Sequence, residues 1–378
     1  MLLFLFIGIA AVSVLWEIYY KRVWLRGVDV KLWFDADTLY EGSRTRLYEV
    51  IENRKRLPLP VLEVGFHTKK ELDFADTENT SVSDYIYKRD VFSVLGRQRI
   101  TREIGVSCKK RGHYKVSDAD ITTHTLLYRK SYGVGIETDA AIYVYARMTD
   151  VSEIMTLCEH MLGTLQCAKR LYEDPFAFRT IRSYTTDDPM KAINWKASAK
   201  TGGLMVNTFD SVQSQKAMIF LDVSDTGILK QEALVEESIA IAATLARKLL
   251  KQGMETGFAF NGADGAYMLP SNKRSMLTVL ERRLADFDAG AGTGSFAELI
   301  SDERQEAGML SDDTLMIYIT KNPDEAFFDT LGKGARKHMA LAVCPVLRGD
   351  EQTAKLCGSV NGGAFGSRVR VLVKEVAG

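Results

Sequence analysis

The chain has 378 residues, 46% of them hydrophobic and 26% charged, an ordinary globular composition. That length suffices for about two domains of ~150 residues each. The 49 basic and 49 acidic residues cancel, which excludes a global electrostatic case for nucleic acid or another polyanion as partner. Seven prolines argue against long disordered linkers, and the sequence carries neither a repeat nor a low-complexity tract.

The N-terminus is apolar from Leu2 to Trp16, apart from Gly8 and Ser13. As a helix those residues would rise about 22 Å, and running on to Tyr20 about 28 Å, close to the ~30 Å hydrocarbon core of a bilayer. Trp16, Tyr19, Tyr20 and Trp24 read as an interfacial aromatic belt, followed by Lys21, Arg22 and Arg26. Residues 1–26 are therefore expected to form a single transmembrane anchor. The basic flank would leave the bulk of the chain in the cytoplasm. A signal peptide fits less well, because a basic start and a small-x-small cleavage site are missing, and a buried core helix is the third reading. Five cysteines (Cys108, Cys158, Cys167, Cys344 and Cys357) show no CxxC spacing. They read as scattered core residues in a reducing compartment.

Residues 27–150 read as a β-rich, sandwich-like domain. Val28–Phe34 alternates, Val61–Phe66 and Ala141–Tyr145 are rich in β-branched and aromatic residues, and turn-forming clusters separate them. His67, His113 and His124 stand alone, without metal-ligand spacing. A helix is expected over Val151 to Tyr172. It carries Cys158, His160 and Cys167, a set too poor for zinc.

Residues 151–212 form a helical connector with the most distinctive stretch of the chain, from Arg182 to Thr201. Asp188 is placed to cap a helix that starts with Pro189, and Gly202-Gly203 to end it. Asn194, Lys196, Ser198 and Lys200 would be polar and available. Trp195 and Arg182 are expected to stabilise a join between domains. This stretch resembles the family known as domain of unknown function 58, whose pattern is matched by Arg182, Tyr184, Asp188, Ile193, Trp195, Ser198 and Ala199. Three positions depart from it: Asp187 replaces a glycine, and Lys191 and Lys200 replace arginines, which keeps the charge but weakens bidentate pairing. The resemblance extends to the layout of anchor, β-domain, motif and α/β domain. It implies a von Willebrand factor A-like C-terminal domain and a MoxR-type AAA+ ATPase as partner, and no known reaction.

Residues 213–378 alternate strands and helices, as expected of an open, doubly wound α/β domain. Lys216–Val223 is an apolar run suited to a covered parallel strand. A helix follows from Gln231 to Gln252. Further strands are expected at Thr256–Phe260, Thr314–Thr320, Met339–Val346 and Arg368–Val373, with helical stretches near Lys273–Phe287, Phe296–Gly308 and Asp324–Arg336. The chemical signal is Asp222, Ser224 and Thr226 at the end of the first strand. They match the spacing of the Asp-x-Ser-x-Ser metal loop of von Willebrand factor A domains, with Thr226 in place of the last Ser, and offer oxygen ligands suited to Mg²⁺. Thr293 is a candidate for the distant threonine of such a site. Lys321 stands where a second aspartate would be needed, which disfavours a cation. Gly290–Gly294 lacks the ending of a P-loop; Ser295 with Glu298 reads as a capping box.

The expected fold class is α/β plus β behind a transmembrane helix. The expected function is a membrane-anchored, non-catalytic adaptor or scaffold acting through protein–protein contacts. The alternative is a metal-dependent, membrane-associated hydrolase using the Asp222 loop. It lacks a Gly-x-Ser-x-Gly elbow and a His-Glu-x-x-His pair. A structural envelope component, with its domains outside the cell, is a third reading.

Overall fold

The structure, a computed structural model, describes residues 2–376 apart from 76–79, 83–84, 126–129, 170–177, 187, 189, 210–214, 226–229, 264, 289–291, 306–309, 311–313, 335–337 and 362–367. The chain divides into two compact units. One is Met1–Met148 with Glu281–Phe287, and the other is Thr149–Leu280 with Asp288–Gly378.

The first unit opens with helix α1 (Leu2–Val23) and continues with twelve strands among the described residues. These are β1 (Val28–Phe34), β2 (Thr38–Tyr40), β3 (Arg44–Asn53), β4 (Leu59–Lys69), β5 (Leu72–Phe74), β6 (Thr80–Val82), β7 (Tyr85–Val94), β8 (Arg99–Cys108), β9 (Gly112–Lys115), β10 (Ser117–His124), β11 (Ser131–Ile136) and β12 (Ala141–Tyr145). They build sheets ordered β1-β3-β8-β5, β11-β10-β4-β7-β6 and β2-β12-β9. Strict alternation on β7 sends Ile86, Lys88, Asp90, Phe92 and Val94 inward. The first two sheets share a core in which Leu47 and Ile104 of one meet Phe66 and Ile86 of the other.

The expected transmembrane anchor is not found. Among the described residues no helix is long and apolar enough to cross a membrane. The reason lies in the last turns of α1, which belong to the protein core. Tyr20 and Trp24, expected at a bilayer interface, are buried with Ile51, Leu62 and Val64. The Tyr20 hydroxyl is 2.9 Å from Thr123 Oγ1, and Glu17 pairs with Lys130 at 2.8 Å. The remaining apolar stretch, at ~1.5 Å per residue, falls short of a ~30 Å hydrocarbon layer. The expected single-pass placement in a cell membrane is corrected with it. The fold class is corrected likewise: the chain is mostly β, with several sheets and no membrane-crossing helix among the described residues.

The second unit contains α2 (Ser152–Lys169), β13 (Phe178–Ser183), a 3₁₀ turn at Met190–Ala192, α3 (Trp195–Thr201) and β14 (Met205–Phe209). Then follow β15 (Lys216–Leu221), α4 (Glu232–Lys251), β16 (Glu255–Phe260), β17 (Tyr267–Ser271), α5 (Arg274–Asp286), whose last turns group with the first unit, and α6 (Phe296–Gln305). The chain closes with β18 (Thr314–Ile319), α7 (Glu325–Gly334), β19 (Met339–Leu347), α8 (Glu351–Asn361) and β20 (Val369–Val376). β13 and β14 form an antiparallel hairpin. The six-stranded sheet runs β17-β16-β15-β18-β19-β20, parallel throughout except for the antiparallel edge strand β17. Met218 and Phe220 of β15 pack with Phe327, Phe328 and Leu331 of α7 and Cys357 of α8. The alternate residues Ala217, Ile219 and Leu221 are buried as well, which explains the unbroken apolar run of this strand.

Candidate functional site

Two constellations in the second unit hold the residues singled out by the sequence. The first is the Arg182–Thr201 stretch. The expected helix start at Asp188 is corrected: the cap of α3 is Asn194, whose Oδ1 accepts from the Ala197 N–H at 2.9 Å. Asp188 has a different task. It takes a bidentate pair from Arg182, at 2.7 and 2.5 Å, and accepts from the Thr185 N–H and hydroxyl, each at 2.8 Å. The Arg182 guanidinium, then the Thr185 N–H, hold this carboxyl well below the usual range. Pro189 lies outside the described residues. Gly202 ends α3 in the left-handed region at φ 73°, as the Gly-Gly pair predicts.

Asn194 and Ser198 are spent on the fold. Asn194 Nδ2 donates to Asn207 Oδ1 at 2.8 Å, and Ser198 Oγ accepts from the Met205 N–H at 2.9 Å. Ile193 is buried and bridges to Val206, while Tyr184 is half-buried and its N–H donates to Leu204 O. The hairpin and α3 are thus sewn together from within. Trp195 is not part of that seam: it is 66% exposed, as are Met190 at 68% and Leu204 at 46%. Lys191, Lys196 and Lys200 are exposed too.

The second constellation surrounds Asp222, at the carboxyl end of β15, and is 97% buried there. Its Oδ1 accepts from the Ser224 N–H at 3.0 Å, the Ser224 hydroxyl at 2.6 Å and Asn261 Nδ2 at 2.9 Å. Its Oδ2 accepts from the Thr320 hydroxyl at 2.7 Å and Asn322 Nδ2 at 3.3 Å. The two amides are oriented by other partners. Asn261 Oδ1 accepts from the Val223 N–H and its Nδ2 donates to Gly294 O, while Asn322 Nδ2 donates to Ser224 O. Lys321 does not enter this cluster, because its Nζ pairs with Asp225 at 2.6 Å.

As arranged, the described residues Asp222 and Ser224 do not present a magnesium site. Mg²⁺ needs oxygen lone pairs converging on one point. Here two amide N–H₂ groups and two hydroxyls converge on a single carboxylate and use its lone pairs. Thr226 lies outside the described residues. Thr293 bridges to Gly262, and the hydroxyl on Asp222 comes from Thr320 instead. Among the described residues no group of three or more His, Cys, Asp or Glu side chains is arranged to hold a metal. What the constellation does is tie together the ends of β15, β16 and β18, from which Asp222, Asn261 and Thr320 emerge.

Sequence reasoning reached Asp222 and Ser224 but missed Asn261, Thr320 and Asn322. A usable signal existed: each lies just beyond the carboxyl end of a strand in one parallel sheet, where such folds gather polar groups.

Residues 180–352, somewhat under half of the chain, match the family described as "Protein of unknown function DUF58". The span begins in β13, and it contains both constellations. A curated relative is the uncharacterized protein YeaD of Bacillus subtilis (strain 168), 21% identical over 240 residues. That alignment covers 64% of this chain and 57% of the relative, so the match spans little more than half of the relative's length. Among solved structures, the CARDB domain of the PF1109 protein from Pyrococcus furiosus aligns with 32% of this chain and 90% of its own, at 10% identity and a TM-score of 0.20. A non-cellulosomal cohesin from Archaeoglobus fulgidus aligns with 34% of this chain and 97% of its own, at 9% identity and a TM-score of 0.20.

Proposed function

We propose that the protein is a non-catalytic adaptor that binds another protein through the α3 segment, with a MoxR-type AAA+ ATPase as its partner. The reading includes an α/β unit of the von Willebrand factor A kind, adapted to docking rather than to cation binding. One observation carries it. The family-matched hairpin and α3 hold their own fold through Asn194, Ser198, Asn207 and the Arg182–Asp188 pair. Met190, Trp195 and Leu204 remain exposed and play no part in those bonds. Exposed Trp and Met side chains are enriched at protein-binding surfaces. Lys191, Lys196 and Lys200 suit an acidic partner surface. The choice of ATPase rests on the resemblance of the motif to its family. The hydrolase alternative draws no support from an Asp222 carboxylate already engaged by protein donors.

The test is a binding measurement between the purified full-length chain and the MoxR-type ATPase of the same organism, with and without Mg²⁺-ATP. The expected result is a complex that Trp195→Asp weakens at least tenfold while the folded-state circular dichroism is unchanged. Absence of a complex with the wild-type chain under both conditions removes the ATPase assignment. A complex indifferent to Trp195→Asp moves the docking surface away from α3.

A further inference from the structure

The core between the two large sheets of the first unit is not continuous oil. Glu49 on β3 and Arg102 on β8 are register partners, and both point inward. Lys88 and Asp90 on β7 point toward them from the other sheet. Arg102 Nη1 reaches Asp90 Oδ1 at 2.8 Å, and Lys88 Nζ lies 3.6 Å from the same oxygen. This charged layer separates two apolar clusters. Leu47, Ile104 and Phe66 belong to one, and Ile51, Val64 and Phe92 to the other.

Both carboxylates are nearly inaccessible, Glu49 being 1% exposed and Asp90 2%. Among the described residues, Asp90 Oδ2 and both oxygens of Glu49 have no hydrogen-bond partner. Asp90 is paired with Arg102 and Lys88, whereas Glu49 is buried with neither oxygen bonded, and an ionised carboxylate left so in a core would be strongly unfavourable. One proton removes the conflict. A protonated Glu49 has an O–H to donate, and Asp90 Oδ2 is the acceptor still available on the facing carboxylate. A single trapped water can bridge the two, since buried waters typically make about three hydrogen bonds to such groups.

We propose that Glu49 is a buried proton-binding group, which carries its proton in the core between the two sheets of the folded protein and releases it only at the expense of the stability of the β-rich unit.

The energetics run in that direction. Burial, and then the charge of Asp90, push the Glu49 carboxyl up from 4.5 to about 8, against the pull of Arg102 and Lys88. Among the described residues, the charged groups facing Glu49 are Arg102 from β8 and Lys88 and Asp90 from β7. β4, one of the two strands beside β7, contributes the apolar Val64 and Phe66, and β1 contributes Leu32 and Phe34. Because the folded value lies above the unfolded one, the native state binds the proton more tightly. The stabilisation is complete below about pH 4.5 and is lost as the pH rises through about 8.

The test uses the full-length chain, with infrared spectroscopy of glutamate-¹³C-labelled protein across about pH 6 to 10. Expected is a protonated-carboxyl stretch at about pH 7, where exposed glutamates are ionised, which carries the ¹³C shift and fades in alkali. Glu49→Gln, which copies the protonated shape, should abolish that band. It should also flatten the fall of the urea midpoint that the wild type shows over the same range. Absence of the band in the wild type at about pH 7, or an identical pH dependence in the two proteins, overturns the proposal. Should Glu49→Gln fail to fold, the labelled wild-type titration decides by itself: a band that fades in alkali supports the site, and none refutes it.

Discussion

Asp222 shows how one carboxylate organises its neighbours. Five donors converge on it, from Ser224, Asn261, Thr320 and Asn322. Asp222→Ala would strand buried hydroxyl and amide groups at the ends of three strands, and should lower stability by ~3–5 kcal/mol in urea unfolding. The sign separates two roles. A carboxylate kept only for a cation is a burden to the cation-free protein, and its removal would raise stability. The reach of sequence reasoning is also visible at this scale. Asp222 and Ser224 sit two residues apart at the end of an apolar run, so their association is local and legible. Thr320 and Asn322 meet them across roughly a hundred residues, joined by sheet pairing that no local pattern encodes. In the same way Glu49 and Asp90 look like surface residues of alternating strands until the register turns them inward.

Among the elements, the long strands and helices of the second unit were readable because periodicity and length agree there. α4 lies at Glu232–Lys251, within the expected Gln231–Gln252, and Glu298 N–H donates to Ser295 Oγ at 3.3 Å, which is one of the two bonds of a capping box. The short edge strand β17 escaped notice, since Tyr267–Ser271 contains a proline and little alternation. α3 was misplaced at its start. An Asp-Pro pair is a good cap in isolation, but Arg182 and Thr185 claim Asp188, and the next residue able to cap is Asn194. α1 illustrates the opposite error. Its apolar run is real, yet Tyr20 and Trp24 found a protein core rather than a bilayer interface. At the turn between β7 and β8, a Cβ added to Gly96 would stand 2.2 Å from the Arg56 carbonyl oxygen. That neighbour is backbone and cannot swing away. Gly96→Ala should therefore cost ~1–3 kcal/mol, read as a lower urea midpoint. An unchanged midpoint would mean that the loop carrying Arg56 is freer than its hydrogen bond from Arg97 N–H to Lys55 O suggests.

For the molecule as a whole, the sheet order sets a gradient of protection. β15 and β18 are central and almost wholly buried, whereas β17 is a half-buried edge. Amide hydrogen exchange on the full chain should be slowest in β15 and β18 and fastest, within that sheet, in β17. Equal rates across the sheet would show that it opens as one unit.

The same strand order has a bearing on synthesis. β15 acquires its first parallel neighbour, β16, soon after it is made, but its second, β18, begins only at Thr314. At ~5–20 residues per second the growing chain spends several seconds with one flank of an apolar strand open to other polypeptides. The ribosome must finish roughly a hundred more residues before that flank is closed. A message broken or a ribosome stalled between those two points yields a sticky fragment, so the hazard in making this protein lies in the pause between neighbouring strands rather than in the finished fold.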